Sequence, residues 1–287
     1  MVEAVRGEVV EARHRVHAVA VAEGKVVGAA GEAALVTFFR SSAKPIQALP
    51  VVRESANLDD AEIAIACASH LARPEQLDPV RRLLTRAGAT EDKLACGPDP
   101  TPLEHNCSGK HAAMLLLCRA RGWATEGYHR SQHSCQQAML AEVASAAEVD
   151  RGSIPTAVDG CGVPTFALTL ERMAHAFSRL AWLDRGERVA EAMRACPELI
   201  RGPDAADTIL MRALPGWIAK GGAEGLLCAA SPDGLGIALK AEDGATRSVR
   251  AAAGAFLAGL GIHDGARLGP VPVESSLGEV VGEIRAV

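Results

Sequence analysis

The chain has 287 residues, 48% hydrophobic and 23% charged, which is long and apolar enough for a packed core and excludes a disordered protein. A formal net charge of −5 and only 3% aromatic residues argue against a general binder of nucleic acids or anionic membranes and against base-stacking surfaces. Charges at Glu3, Arg6, Glu8 and Glu11 leave no apolar signal core at the start, and no run reaches the ~20 apolar residues of a membrane span, so the expected location is the cytoplasm.

In chain order, residues 7–37 read as sheet, with weak alternation at Val16, Ala18, Ala20 and Ala22 and a turn at Glu23-Gly24-Lys25. Pro45 starts a helix that carries Ile46, Leu49 and Val52 inward. A short apolar element, Glu62–Cys67, ends in Ala68-Ser69-His70, and a helix over Pro74–Ala87 has Leu77, Val80, Leu83 and Leu84 on one face. A loop over Gly97–Pro102 leads to His105-Asn106-Cys107-Ser108-Gly109-Lys110-His111. Helices are then expected over Ser108–Ala120, Ser131–Ala147, Thr165–Leu180 and Asp184–Cys196, with Ser108 as a cap. Short strands at Trp217–Lys220, Leu226–Ala230 and Gly236–Lys240 precede a closing helix over Ser248–Leu260. Strands at both ends and helices between them predict a single α/β (α+β) domain over 1–287, with one antiparallel sheet built from both termini.

Four constellations bear chemistry. Ser41 and Lys44 stand one helical turn apart, where a neutral amine can take a proton from a hydroxyl; such a pair is common by chance, and its plain reading is a helix cap with a solvated lysine. Cys67-Ala68-Ser69-His70 places a serine at the end of an apolar element, which also describes an ordinary turn. Lys220-Gly221-Gly222-Ala223-Glu224-Gly225 puts a lysine at a strand end beside glycines that leave backbone room for a substrate, with no phosphate-loop spacing. Asp159-Gly160-Cys161-Gly162-Val163-Pro164 adds a thiol to Cys107 and Lys110; two soft donors and an amine are a zinc set if the lysine is deprotonated, and otherwise reduced cysteines near turns. The other cysteines include no CxxC pair and read mostly as apolar filler in a reducing compartment.

Taken together, Arg40-Ser41-Ser42-Ala43-Lys44-Pro45, Cys67-Ala68-Ser69-His70, the motif from His105 to His111, the turn from Asp159 to Pro164 and the Lys220 segment resemble the class 3, rhizobial-type asparaginase II family. The resemblance implies a fold similar to serine β-lactamases and glutaminases, a homodimer, and two Ser-Lys tandems. These are Ser41 with Lys44, and Ser69 with Lys220 or, as the fallback, Lys240. It further implies Cys107, Lys110 and Cys161 as ligands of a zinc ion that positions substrate, and Arg40, His70 and Asp159 on the substrate side. The expected reaction is hydrolysis of L-asparagine to L-aspartate and ammonia. Ser41 attacks with Lys44 as base, and Ser69 and Lys220 relay the proton; attack by Ser69 is the alternative. Competing readings are a glutaminase, a penicillin-recognising serine hydrolase and a non-catalytic zinc-binding relative.

Overall fold

Two antiparallel sheets each draw strands from both ends of the chain. The structure, a computed structural model, describes residues 1–287. The first sheet joins β1 (Val2–Arg6) and β2 (Val9–His14) to β11 (Val271–Glu274) and β12 (Val280–Ala286) in the order β11-β12-β1-β2, with Ala4 opposite Ile284. The second joins β3 (Val16–Ala22) and β4 (Lys25–Ala30) to β8 (Ile218–Gly222), β9 (Leu226–Ala230) and β10 (Gly236–Ala241) in the order β4-β3-β10-β9-β8. The expected sheet from both termini is therefore present twice. The outer sheet was hidden because charged residues interleave with its inward Val2, Ala4 and Ile284.

A third, small sheet holds β5 (Val36–Phe38), β7 (Pro164–Thr169) and β6 (Thr156–Val158) in the order β5-β7-β6. It corrects the helix expected over Thr165–Leu180. Residues up to Thr169 form strand β7, and the Thr169 hydroxyl caps α6 (Leu170–Arg179) by accepting from the Arg172 N–H. Strand β7 is buried along nearly its whole length, so it lacks the polar alternation that marks a half-exposed strand.

The helical middle is built on two helices with little exposed surface, α1 (Lys44–Glu54) and α4 (Ser108–Ala120). Every residue from Lys44 to Val52 and from Ser108 to Cys118 is buried, so each helix is surrounded by others. Around them lie α2 (Asp60–Ala66), α3 (Pro74–Ala87), α5 (Ser134–Ala147) and α7 (Gly186–Ala195). Full burial of Ile46 and Leu49 contributes about 1.5–3 kcal/mol for each side chain. Two short helices not foreseen, α8 (Pro197–Ile200) and α9 (Ala206–Ala213), lead into β8. The helix α10 (Val249–Gly259) covers the β3 and β10 face opposite α6.

Two close approaches fix the site. A Cβ at Gly109 would stand 2.2 Å from the Ile65 carbonyl oxygen, so α4 meets α2 backbone to backbone. Gly109→Ala should therefore destabilise the protein by about 1–3 kcal/mol, read as a lowered melting temperature, and an unchanged melt would contradict this contact. A Cβ at Gly222 would stand 2.9 Å from Ser42 Oγ, which lets the turn before α1 dock on β8.

Candidate active site

A tight 3-10 turn over Arg40–Ala43 delivers the first serine. Arg40 holds φ at 48°, a left-handed conformation that costs a non-glycine residue about 1 kcal/mol. Its N–H donates to Thr165 Oγ1 at 3.2 Å and its Nε to Asp159 Oδ1 at 2.9 Å, so β7 and the Asp159 turn hold it in place. The next residue, Ser41, lines a cavity of about 400 Å³. Ser42 points the other way, and its buried hydroxyl donates to the Lys220 carbonyl at 2.8 Å.

Lys44 is fully buried at the start of α1. Its ammonium donates to the Ala68 carbonyl, to Ser69 Oγ at 3.0 Å and to Cys107 Sγ at 3.3 Å, which uses all three of its hydrogens. None of these bonds goes to Ser41. Ser69 lines the same cavity as Ser41, so the two hydroxyls share one space while the amine engages the second. Ser69 sits on the segment after α2, whose Asp59 and Glu62 form a reciprocal cap. Backbone bonds from Ser69 N–H to Ile200 O at 2.7 Å and from His70 N–H to Asn106 O at 3.1 Å pin it.

His70 also lines the cavity. Its Nδ1 accepts from the Ala72 N–H at 3.1 Å, so Nε2 carries the proton and donates to Ser108 Oγ at 2.8 Å. Burial, with help from Lys44, lowers its pKa to about 4, and the ring stays neutral at ordinary pH. Ser108 is thereby corrected: it is the first residue of α4, with Cys107 at the cap position, and its hydroxyl serves His70.

Lys220 is fully buried on β8, opposite Cys228. Its Nζ donates to Gly221 O at 2.5 Å and stands 3.8 Å from Asp207 Oδ2. Burial pulls its pKa down to about 7; Asp207 opposes that shift, and the nearby Lys44 charge adds to it. Neither lysine lines the cavity; Lys220 stands within reach of the Lys44 charge, whereas Lys240, the fallback, lies on β10 among Glu224, Asp243 and Glu242.

The thiols meet on the Lys44 side. The turn from Asp159 to Gly162, closed by a Gly162 N–H to Asp159 O bond at 2.9 Å, presents Cys161. Lys110 Nζ donates to Cys161 Sγ at 3.4 Å, and the Cys107 thiol, which accepts from Lys44, donates to Asn106 Oδ1 at 3.0 Å. Cys161, with Lys44, His105 and Lys110, holds Cys107 well below the usual thiol value against the effect of burial, and Cys107 in turn pushes Cys161 up. Burial works against the charge of Lys110, but Cys161, Cys107 and Asp159 outweigh it and hold the amine above its ordinary value.

The family profile described as L-asparaginase II matches residues 2–286. This chain belongs to the L-asparaginase II family. As a family member it is an amidohydrolase of the asparaginase type, acting on a small-molecule substrate. No curated protein matches the chain. Among solved structures it is similar to a β-lactamase from Mycobacterium bovis, at 15% identity over 79% of this chain and 86% of that one, with a TM-score of 0.34.

Asp99, Glu104 and Arg201 on the cavity wall of this asparaginase II family member, and Asp207 beside it, carry no motif in the sequence. Arg201, just after α8, lines the cavity, and its guanidinium has no carboxylate partner. Asp207 is a buried carboxylate on α9 that accepts the Gly221 N–H at 3.0 Å beside Lys220. Both lie in a segment without a recognisable motif; the one signal was charge placed among apolar residues in Ile200–Leu210. No helix is long and apolar enough to cross a membrane.

Proposed function

We propose that this enzyme hydrolyses the side-chain amide of L-asparagine through serine–lysine chemistry. The observation that carries the reading is the buried Lys44 amine hydrogen-bonded to Ser69, with Ser41 facing the same cavity one turn away. To act as base Lys44 first gives up one of the three protons it directs at Ala68, Ser69 and Cys107; in that neutral form it takes the proton as Ser41 Oγ bonds to the amide carbon. The proton passes through the Lys44–Ser69 bond to the amide nitrogen, the C–N bond breaks and ammonia leaves. Water then attacks the Ser41 ester and releases L-aspartate. Arg201 offers an unpaired fork for the substrate carboxylate, while Asp159 fixes Arg40, and His70 fixes the wall carrying Ser69. Ammonia release from asparagine, compared with glutamine and with a fluorescent penicillin as a covalent label, tests this assignment. Faster turnover of glutamine would make it a glutaminase, labelling by the penicillin would make it a penicillin-recognising hydrolase, and release from neither amide would leave a non-catalytic relative.

Lys220, taken as the second lysine of the relay through Ser69, gives the pH dependence. With its pKa near 7 it is neutral above that value, so activity should rise through about pH 7 toward alkaline conditions. Asp207→Asn removes the carboxylate that raises this pKa and should move the rising limb to lower pH; an unmoved limb would detach Lys220 from the reaction. Folding stability also rises with pH. The buried amine is depressed below its unfolded value of 10.5, so its destabilising effect is full below about pH 7 and fades as pH rises toward 10.5.

The donor set fits a zinc ion. The thiols of Cys107 and Cys161 and the Lys110 amine, which reaches Cys161 at 3.4 Å, are three donors of the kind zinc takes. Cys107, Cys161 and Lys110 would hold it, Lys110 losing its proton on binding, and the ion would supply a positive centre that orients substrate. Purified enzyme should carry about one zinc per chain by elemental analysis, and Cys161→Ala should carry almost none; full occupancy in that variant would place the metal elsewhere. A homodimer and a cytoplasmic location complete the proposal. Eight free cysteines support the second, and sedimentation tests the first.

A further inference from the structure

We propose that this chain has a second ligand site, for a small aliphatic carboxylate, in a cavity where the two large sheets meet. The cavity has a volume of about 250 Å³ and lies against Gly221 and Arg201, which also line the catalytic cavity. One part of its wall is basic. Arg201 and Arg250 make no ion pair or hydrogen bond, and Arg247 spends only its Nε, on His14 Nε2 at 3.1 Å. The Nε of Arg250 is buried and has no partner at all, which is costly for a charged donor unless a ligand or water answers it. Burial lowers the pKa of Arg250, with only Asp204 opposing. The other carboxylate on the wall, Asp207, is already engaged by the Gly221 N–H and faces Lys220.

The rest of the wall is apolar, with Leu227 and Val249 on one side and Val271 and Ile284 of the outer sheet on the other. A guanidinium fork binds carboxylate and phosphate alike, but an apolar wall favours an anion with a hydrocarbon body. The volume is roughly that of eight waters, enough for a branched acid of about that many heavy atoms. The proposed amide chemistry uses Arg201 but none of Arg250, Arg247, Val249, Val271 or Ile284, so the second site is assigned to those residues and its test does not depend on that reading.

Calorimetric titration of the full-length protein with isocaproate, acetate and inorganic phosphate tests it without reference to activity. One isocaproate should bind per chain, about tenfold tighter than acetate or phosphate. Arg250→Gln and the cavity-filling Val271→Phe should each weaken binding about tenfold, with melting temperature monitored to establish that both variants are folded. The proposal is overturned by binding as tight in both folded variants, which would put the acid in the catalytic cavity. Phosphate binding as tight as isocaproate, or no isocaproate binding up to about 10 mM, would overturn it as well.

Discussion

Ser41→Ala should give a folded protein whose ammonia release from asparagine falls by about a thousandfold or more. The expectation rests on what Ser41 does and does not hold. Its hydroxyl faces the cavity and makes no hydrogen bond, so its loss leaves no buried partner stranded, and stability should change by about 0.5 kcal/mol or less. Ser42→Ala is the matched control. That hydroxyl is fully buried on the Lys220 carbonyl, so its removal should cost about 1 kcal/mol of stability and leave most of the chemistry in place. Mass spectrometry of enzyme quenched during turnover should find the aspartyl ester on Ser41. An ester on Ser69, with Ser41→Ala still acylated, would exchange the roles of the two serines.

Ser69→Ala separates attack from departure. If Ser69 hands the proton to the leaving amine, its loss should weigh more on asparagine than on aspartate β-hydroxamate, whose leaving group is less basic. Equal losses on both substrates would remove Ser69 from the proton path.

Local signals in the sequence reached some parts of this site and missed others. The i, i+3 spacing of Ser41 and Lys44, the glycine at 109 and the turn around Cys161 are properties of short segments; of these, the close approach at Gly109 is present, while Lys44 bonds to Ser69 and not to Ser41. The acceptor that Lys44 prefers was not visible. It lies 25 residues away, and the contact depends on the end of α2 being pinned by Ile200 and Asn106, from two further parts of the chain. The role of Ser108 was misread for a related reason. A serine at a helix start is normally a cap, but here a histidine from another segment takes its hydroxyl. Arg201 and Asp207 show the limit most clearly. Only the folding of α8 and α9 back onto β8 makes one a cavity wall and the other the partner of a buried lysine.

Lys44→Met should abolish turnover, with a loss within about 10²–10⁴-fold for the proton transfer alone. Methionine nearly matches the length of the lysine stem and carries no charge, so the buried space stays filled. The variant loses three donated hydrogen bonds, but it also loses the penalty of holding an ammonium with no exposed surface. These effects oppose each other, and the melting temperature should move far less than the rate. Lys44→Arg sharpens the conclusion. It keeps a positive charge beside Ser69 and Cys107, yet a guanidinium does not give up its proton near neutral pH. Both variants should therefore be inactive. If arginine restored a large part of the activity, the field of the cation would matter at this position, and the base for Ser41 would have to be another group.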